Sequence, residues 1–388
     1  MKLHEFQSKR LLARYGVAAP AGRVALTPEE ARYIAGDLDS RTGYAVKAQI
    51  LAGGRGKAGG IRLVKNPGDV AAAAADLIGR RLVTEQTGRD GQPVKRVLVE
   101  TALRISRTLH LSLFVDASSA ELVALASVGG DMDIEERFKR GELTLERIGF
   151  GAGREPRAEE AASLAGRLGL EGAAAEAFAD VVEKLRQLFV DCDASLVEIN
   201  PLAITEEGAL VAADAKITID DNALFRQPDM ASFRDEEDFD ETEVNAQRRQ
   251  LNYVRLDGNI GLAVNGAGLG LATLDMVQAA GGRPANFMDI RTTAKSLDVA
   301  YGFGLLLDNP AVKAILINVH GGGMQPCDTI AEGLGIAMRR TGRACPTVVR
   351  LAGNNADFAR NRFANFGCKI IECPDMWSAA QRAVAEAR

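Results

Sequence analysis

The run Ala314-Ile315-Leu316-Ile317 offers water no polar side chain on either side of a strand. Such a strand must be covered on both faces, the condition met in a parallel sheet flanked by helices. Comparable strand-like stretches fall near 260–264, 285–289, 346–350 and 369–372, and segments of about 10–15 residues with helical spacing separate them. The second part of the chain therefore reads as a doubly wound parallel sheet. Three glycine-rich turns follow its apolar strands: Asn265-Gly266-Ala267-Gly268, Gly321-Gly322-Gly323 and Gly353-Asn354-Asn355. All lie at carboxyl ends of predicted strands, where open α/β sheets bind ligands. The first opens a helix, whose free N–H groups attract anions. Turns needed only for packing would look the same.

The first part has a different texture. Residues 3–15 place Phe6, Leu11, Leu12 and Tyr15 on one face of a helix that Gly16 stops. Thr27-Pro28-Glu29-Glu30 is a capping box with proline at the first helical position. Strands are expected at 44–50, 94–100, 108–116, 194–199 and 209–217, with helices near 157–168 and 172–190. This mixture suggests an α+β nucleotide domain. Between the two parts, residues 226–244 carry the acidic run Asp235-Glu236-Glu237-Asp238, read as a solvated linker. The expected domains are 1–240 and 241–388.

A net charge of −5 gives no basic excess for nucleic acid or an anionic membrane surface. The cysteines at 192, 327, 345, 368 and 373 are odd in number and lack paired metal-ligand spacing, which suits a reducing cytoplasm. Three histidines argue against a multi-histidine metal site. The first ten residues lack the apolar core of a signal peptide, and no apolar run is long enough to span a bilayer.

Chemistry concentrates first in residues 45–60, AVKAQILAGGRGKAGG. Lys47 sits on a strand, followed by Gly53, Gly54, Gly56, Gly59 and Gly60 with Arg55 and Lys57 between them. Glycines let backbone N–H groups approach phosphate oxygens, and Lys47 can act as a point charge. No GK[ST] opens a helix, so this is not the Walker pattern; a flexible basic hairpin turn is the alternative. The second concentration is SLVEINPLAIT followed by LVAADAKI. Glu198 and Asn200 share a strand face and Asp214 lies on the next strand. Together they offer oxygen ligands of the kind magnesium takes in small number beside phosphates; ordinary polar strand ends are the alternative. No activated nucleophile is visible: there is no GxSxG elbow. His4, His110 and His320 read as structural, and Trp377 as a packing anchor. Nucleotide and anion sites without a group to carry a covalent intermediate suggest that a partner supplies it.

The stretches LHEFQSKRLLARYG, KAQILAGGRGKAGG, RLVTEQTG, VLVE, LVEINPL, DDNALFRQPD, LDGNIGLAVNGAGL and RLAGNN resemble the succinyl-CoA synthetase beta-subunit family, nearly collinearly from residue 1 to about 385. Malate–CoA ligase beta subunits share most of them. The resemblance implies an ATP-grasp domain followed by a flavodoxin-like ligase domain. It implies ATP or GTP as substrate, Mg2+, and an alpha partner, in an alpha-beta or alpha2beta2 assembly, that binds CoA and carries a phosphorylatable histidine. It implies nucleotide-binding roles for Lys47, Gly54, Arg55, Gly56, Glu100, Leu103 and Thr108, metal-ligand roles for Asn200 and Asp214, and a place for Glu198 facing the phosphohistidine, with Glu198 and Lys47 as the catalytic pair. Asn265 and the turn Gly322-Gly323-Met324 match substrate-side positions. There are departures. Thr108 stands where the family commonly has an acid, and Leu51 where it has a histidine. Arg291-Thr292-Thr293 replace three glycines, and His320 and the stretch 323–326 also differ. Arg291, Thr292 and Thr293 therefore join the substrate-side expectation, and the acid is succinate or a different anion such as malate, another dicarboxylate or a sulfonated acid. The rivals are a self-sufficient ATP-grasp carboxylate–amine ligase and a nucleotide-binding subunit without turnover.

Overall fold

In the computed structural model, which describes residues 1–38, 40–87, 90–130, 137–138, 140–141, 143–152, 158–235, 240–321 and 326–388, helix α1 (Glu5–Arg14) buries more than its apolar face. Glu5, Gln7, Ser8 and Lys9 are covered together with Leu11 and Leu12. The chain divides into two units, Met1–Asp235 and Glu236–Arg388.

The first unit holds two larger sheets. Strands β1 (Gly22–Ala25), β2 (Tyr44–Ala48), β3 (Ile61–Val64) and, after a short ribbon of β4 (Arg81–Leu82) and β5 (Gln92–Pro93), β6 (Val97–Thr101) form an antiparallel sheet of order β1-β6-β2-β3. Helices α2 (Pro28–Leu38) and α3 (Pro67–Leu77) cover it through Ile34, Val70 and Leu77, against Val46 and Val99. Alternation then sends Ala45, Lys47, Leu98 and Glu100 to the other face. The Thr27 capping box forms in part: Thr27 Oγ1 accepts the Glu30 N–H at 3.1 Å, while the Glu30 carboxylate reaches Leu26 N at 2.8 Å.

The second sheet comprises β7 (Ile105–Asp116), β8 (Glu121–Val128), β9 (Glu146–Gly149), β10 (Ala194–Thr205), β11 (Leu210–Ala212) and β12 (Ala215–Ile219), in the order β11-β10-β7-β8-β9 with β12 also on β10. Leu111, Leu113, Ala124 and Val197 join the core of α4 (Ala158–Arg167) and α5 (Gly172–Asp191), which includes Leu164, Val182 and Leu185. His110, Ser112, Ser127, Glu198 and Lys216 fall on the opposite face, where Ser112 and Lys216 flank Glu198 and Ser127 lies across from His110. The single strand expected at 209–217 is two strands. The chain breaks at Ala213 and Asp214, where Ala213 N donates to Pro201 O at 3.0 Å and Asn200 N to Asp214 O at 3.3 Å. The supposed linker is also partly structured: it holds α6 (Pro228–Ala231) and the start of α7 (Glu241–Arg248), which Asp240 caps by accepting from Thr242 N and Glu243 N. Residues 236–239 of the acidic run lie outside the described residues.

The second unit is one six-stranded sheet: β13 (Leu251–Arg255), β14 (Ile260–Val264), β15 (Asn286–Ile290), β16 (Ala314–Gly321), β17 (Thr347–Gly353) and β18 (Ile370–Glu372), ordered β13-β15-β14-β16-β17-β18. Only β13 is antiparallel to its neighbour. The five parallel strands, numbered in chain order, lie 2-1-3-4-5, the flavodoxin-like order. Helices α8 (Ala267–Ala279) and α12 (Met376–Glu386) pack through Val277, Ala380 and Ala383. Helices α9 (Ser296–Asp308), α10 (Cys327–Thr341) and α11 (Ala356–Asn365) contribute Phe303, Leu334 and Phe363 to a separate core. The sequence expectation of a doubly wound sheet after an α+β part is the architecture observed. Trp377, expected as a packing anchor, is 44% exposed.

Candidate functional site

In the first unit, the outward face of β2 and β6 meets α1 and the break between β11 and β12. Six charged side chains converge there: Glu5 and Lys9 from α1, Lys47 from β2, Arg55 from the glycine loop, Glu100 from β6, and Asp214 from the break. The Lys47 ammonium lies 2.9 Å from Glu5 Oε1 and 2.5 Å from Glu100 Oε1, and donates to Ala213 O at 2.7 Å. Lys9 lies 2.8 Å from Glu5 Oε1 and donates to Glu100 Oε2 and Ala213 O, both at 2.7 Å. Arg55 Nη2 lies 2.9 and 2.8 Å from the two Asp214 oxygens and forms a 2.8 Å ion pair with Glu5 Oε2. Three cations thus face three anions.

Burial sharpens the electrostatics. The Glu5 and Glu100 side chains are 1% and 2% exposed, whereas Asp214 is 28% exposed and forms the open side of the cluster. Burial opposes the Lys47 charge, but Glu5, Glu100 and Asp214 more than offset it, so the lysine pKa is raised. Arg55 behaves alike: burial pulls it down, and Asp214 and Glu5 push it higher. Burial alone would raise Glu5, yet Lys47, Lys9 and Arg55 hold it well below the usual carboxylate range. Removing a fully buried member of such a set with no neighbour to replace it leaves a buried charge uncompensated, at a cost of about 3–5 kcal/mol.

The glycine loop folds back on its own strand. Gly60 N donates to Arg55 O at 2.7 Å, Ala48 N to Gly60 O at 2.8 Å, and Arg55 Nη1 to Ala48 O at 3.0 Å. This turn carries Arg55 into the cluster while Lys57 stays exposed. On the second sheet, His110 Nε2 lies 3.7 Å from Glu198 Oε1. The His110 contact lowers the Glu198 pKa against an opposing burial effect, helped by Lys216 and a hydrogen bond involving Asn200. The backbone bond from Asn200 to Asp214 puts those two residues side by side. Leu103 lies between β6 and β7, and Thr108 pairs with Ala203 on β10.

In the second unit the strand order reverses between β14 and β16, and their carboxyl ends are bridged by one side chain. Asn265 Nδ2 donates to His320 O at 2.8 Å, and His320 N donates to Asn265 Oδ1 at 2.9 Å. Gly266, with φ of 104°, turns the chain into α8 and donates its N–H to Asp289 Oδ1 at 2.6 Å. Asp289 Oδ2 accepts from Asn252 Nδ2 at 3.0 Å, and Asn252 Oδ1 accepts from Arg291 Nε at 3.0 Å and Nη2 at 2.7 Å. Thr293 Oγ1 donates to Gln250 Oε1 at 3.0 Å, and Thr292 is exposed. The glycines ending β16 and β17 serve packing: a Cβ on Gly353 would stand 2.2 Å from Gly321 O. Gly322, Gly323 and Met324 lie outside the described residues.

The structure thus brings Lys47, Arg55, Glu100 and Asp214 together, with Asn200 beside Asp214 and Glu198 near His110. Sequence reasoning missed Glu5 and Lys9. A Glu–Lys pair four apart in a helix that also carries Gln7, Ser8, Arg10 and Arg14 gave no sign of burial. Sequence reasoning also missed the Asn252–Asp289 link beneath Arg291. Among the described residues no group of three or more His, Cys, Asp or Glu side chains is arranged to hold a metal by itself.

Residues 2–204 match the family described as ATP-grasp domain, and residues 263–384 the family described as CoA-ligase. The chain is 42% identical over 385 residues to succinate–CoA ligase [ADP-forming] subunit beta of Salmonella paratyphi B, covering 99% of each chain, and equally to that of Salmonella newport. Among solved structures it resembles ATP citrate lyase from Methanothrix soehngenii in complex with citrate and coenzyme A, at 18% identity with a TM-score of 0.77 and 99% of both chains covered. It also resembles the Methanosaeta concilii ATP citrate lyase D541A mutant with (3S)-citryl-CoA, at 16% identity, a TM-score of 0.72 and the same coverage. At these identities the two structures speak to the fold.

Proposed function

The chain belongs to the beta-subunit family of ADP-forming succinate–CoA ligase, and we propose that its first unit hands the γ-phosphoryl group of ATP to a histidine on an alpha partner for acid–CoA ligation. The reaction is acid + CoA + ATP giving acyl-CoA, ADP and phosphate, reversibly. Phosphate passes from ATP to the partner histidine and then to the acid, whose acyl phosphate CoA attacks. The observation that carries this reading is the convergence of Lys47 and Arg55 with Asp214 at the open side of a buried charged cluster. Fixed cations beside a glycine loop stabilise phosphoryl transfer by positioning and electrostatics.

Asp214 and Asn200, neighbours through a backbone hydrogen bond, carry a carboxylate and a carboxamide, hard oxygen donors of the kind magnesium takes in small number beside phosphates. When bound there, Mg2+ would neutralise charge on the transferring phosphoryl group. Lys47 and Arg55 orient the phosphates. Glu198, kept ionised by His110 and Lys216, accepts a hydrogen bond from the incoming imidazole and orients it. Gly54 and Gly56 line the loop, and Glu100, Leu103 and Thr108 stand on the nucleoside side. Asn265, with the turn 322–324, serves the acid side.

Succinate is the acid named for the relatives and the default here. A second anionic acid is favoured by one observation: Arg291 is anchored by Asn252 at the carboxyl end of β15, beside the strand that leads into Asn265. The assembly is one or two alpha–beta pairs. The five cysteines are free thiols and no described helix is long and apolar enough to cross a membrane; we place the enzyme in the cytoplasm. The deciding experiment is co-purification with the alpha partner, followed by CoA-dependent ADP release across an acid panel. Full turnover by this chain alone would favour the self-sufficient ligase. Nucleotide binding without turnover, even with the partner, would favour the non-catalytic subunit.

A further inference from the structure

Lys9 and Lys47 come from different elements, yet their ammonium groups share one set of acceptors. Lys47 Nζ meets Glu5 Oε1 at 2.9 Å, Glu100 Oε1 at 2.5 Å and Ala213 O at 2.7 Å. Lys9 Nζ meets Glu5 Oε1 at 2.8 Å, Glu100 Oε2 at 2.7 Å and Ala213 O at 2.7 Å. An ammonium has three N–H donors, so the same three groups saturate both lysines. Lys47 therefore cannot present an N–H to a phosphate without giving up one of these oxygens. Glu5 and Glu100 are almost fully buried, and water cannot take its place there. Stripping a buried carboxylate of its counter-ion is strongly unfavourable, so Lys47 alone would be pinned.

We propose that Lys9 is a positioning residue for the nucleotide: it keeps Glu5, Glu100 and the Ala213 carbonyl paired while Lys47 transfers to the phosphates. The inference rests on the reading of Lys47 as a phosphate-binding residue. Charge balance makes it specific. Without Lys9, two cations face three carboxylates and Lys47 is held harder. Without both Lys9 and Glu5, two cations face two carboxylates and Lys47 is released. Without Glu5 alone, the cations are in excess and phosphate is favoured.

The test uses the alpha–beta complex and follows partner-histidine phosphorylation, reading the KM for Mg-ATP separately from kcat. Lys9→Met should raise KM about tenfold, equivalent to 1.4 kcal/mol, with a much smaller change in kcat. Lys9→Arg should recover most of the loss, and Lys9→Met with Glu5→Gln should return KM to within about threefold of wild type. Glu5→Gln alone should lower KM, which keeps the idea testable if Lys9→Met does not fold. A KM unmoved by Lys9→Met, a double variant no better than the single, or a KM raised by Glu5→Gln overturns the proposal. A purely structural Lys9 would lower the melting temperature and leave KM alone. If Lys47→Ala alters neither KM nor kcat, the phosphate reading itself fails. If Lys47→Ala is impaired and Lys9→Met is not, only the role of Lys9 fails.

Discussion

Arg55 holds Asp214 through a single guanidinium nitrogen, Nη2, which lies within 2.9 Å of both carboxylate oxygens. A cation therefore already sits against the one acidic side chain that opens onto the surface of the cluster, and Glu5 grips the same nitrogen from behind. Asp214→Asn keeps the shape and one acceptor for Arg55 but removes the charge a hard divalent cation needs. Because Asp214 is partly exposed and Arg55 keeps Glu5, the fold should lose little. The expected outcome is an apparent magnesium requirement raised about tenfold or more, followed by labelling of the partner histidine with ATP. An unchanged rate at limiting magnesium would show that Asp214 is only the partner of Arg55.

Lys47→Ala should slow the same half-reaction. One preorganised charge aimed at the transferring group is worth about 3 kcal/mol, or about a hundredfold in rate. Stability should suffer less than for a lone buried pair, because Lys9 still reaches Glu5, Glu100 and Ala213 O. Single-turnover labelling and thermal melting separate the two effects. Wild-type nucleotide affinity and rate together would make Lys47 an ordinary strand residue.

The pH dependence of the cluster follows from Glu5. Its folded pKa lies below the unfolded value of about 4.3. The stabilisation is thus fully present above that value and is lost as pH falls through the lower folded value. Lys47 is shifted upward, so its contribution is present at neutral pH and lost only in strongly alkaline solution. Hydrogen exchange of the α1 amides, wild type against Glu5→Gln at matched pH, should show a protection gap that is constant from about pH 7 to 5 and narrows progressively below about pH 4. A gap of the same size at pH 3.5 and 7 would mean that the Glu5 charge does not stabilise α1.

What could be read from the chain differs between its two units for physical reasons. Apolar strands such as Ala314–Ile317 have one way to be buried, so the parallel sheet was legible. The edge strand β13, Leu251–Arg255, mixes polar and apolar residues and runs antiparallel, and no continuous apolar run announced it. Lys47 and Arg55 stood out by their glycine surroundings, and Asp214 by following Glu198 and Asn200 as a lone acid in an apolar stretch. Glu5 and Lys9 did not, because a Glu–Lys pair four apart on a helix ordinarily faces solvent. Their burial depends on the Ala213–Asp214 break and on β2 and β6 arriving beside α1, contacts remote in sequence. That same break divided the strand expected at 209–217.

Arg291 is tied to the start of α8 through a chain of hydrogen bonds. Its Nε and Nη2 both donate to Asn252 Oδ1, Asn252 donates to Asp289, and Asp289 accepts the Gly266 N–H at the start of α8. The guanidinium is thus oriented by β13 and is coupled to the turn that follows Asn265. Two roles fit this arrangement. Arg291 either fastens the edge strand β13 to β15, or it presents a fixed guanidinium edge to an anionic group of the acid, for which a planar fork is well suited. Two variants separate them. Arg291→Gly removes the fork, and Asn252→Ala leaves the arginine but releases it. If Arg291 reads the acid, both should change the kcat/KM ranking among succinate, malate, other dicarboxylates and sulfonated acids by about tenfold or more, since one satisfied charged contact is worth at least 1.4 kcal/mol. Asn252→Ala should have the smaller effect, because a mobile guanidinium can still reach its anion at an entropic cost. If Arg291 is a fastener, both variants should lower the melting temperature and leave the ranking as it is in the wild type, and succinate at the top of that ranking would then place acid selection elsewhere in the alpha–beta complex.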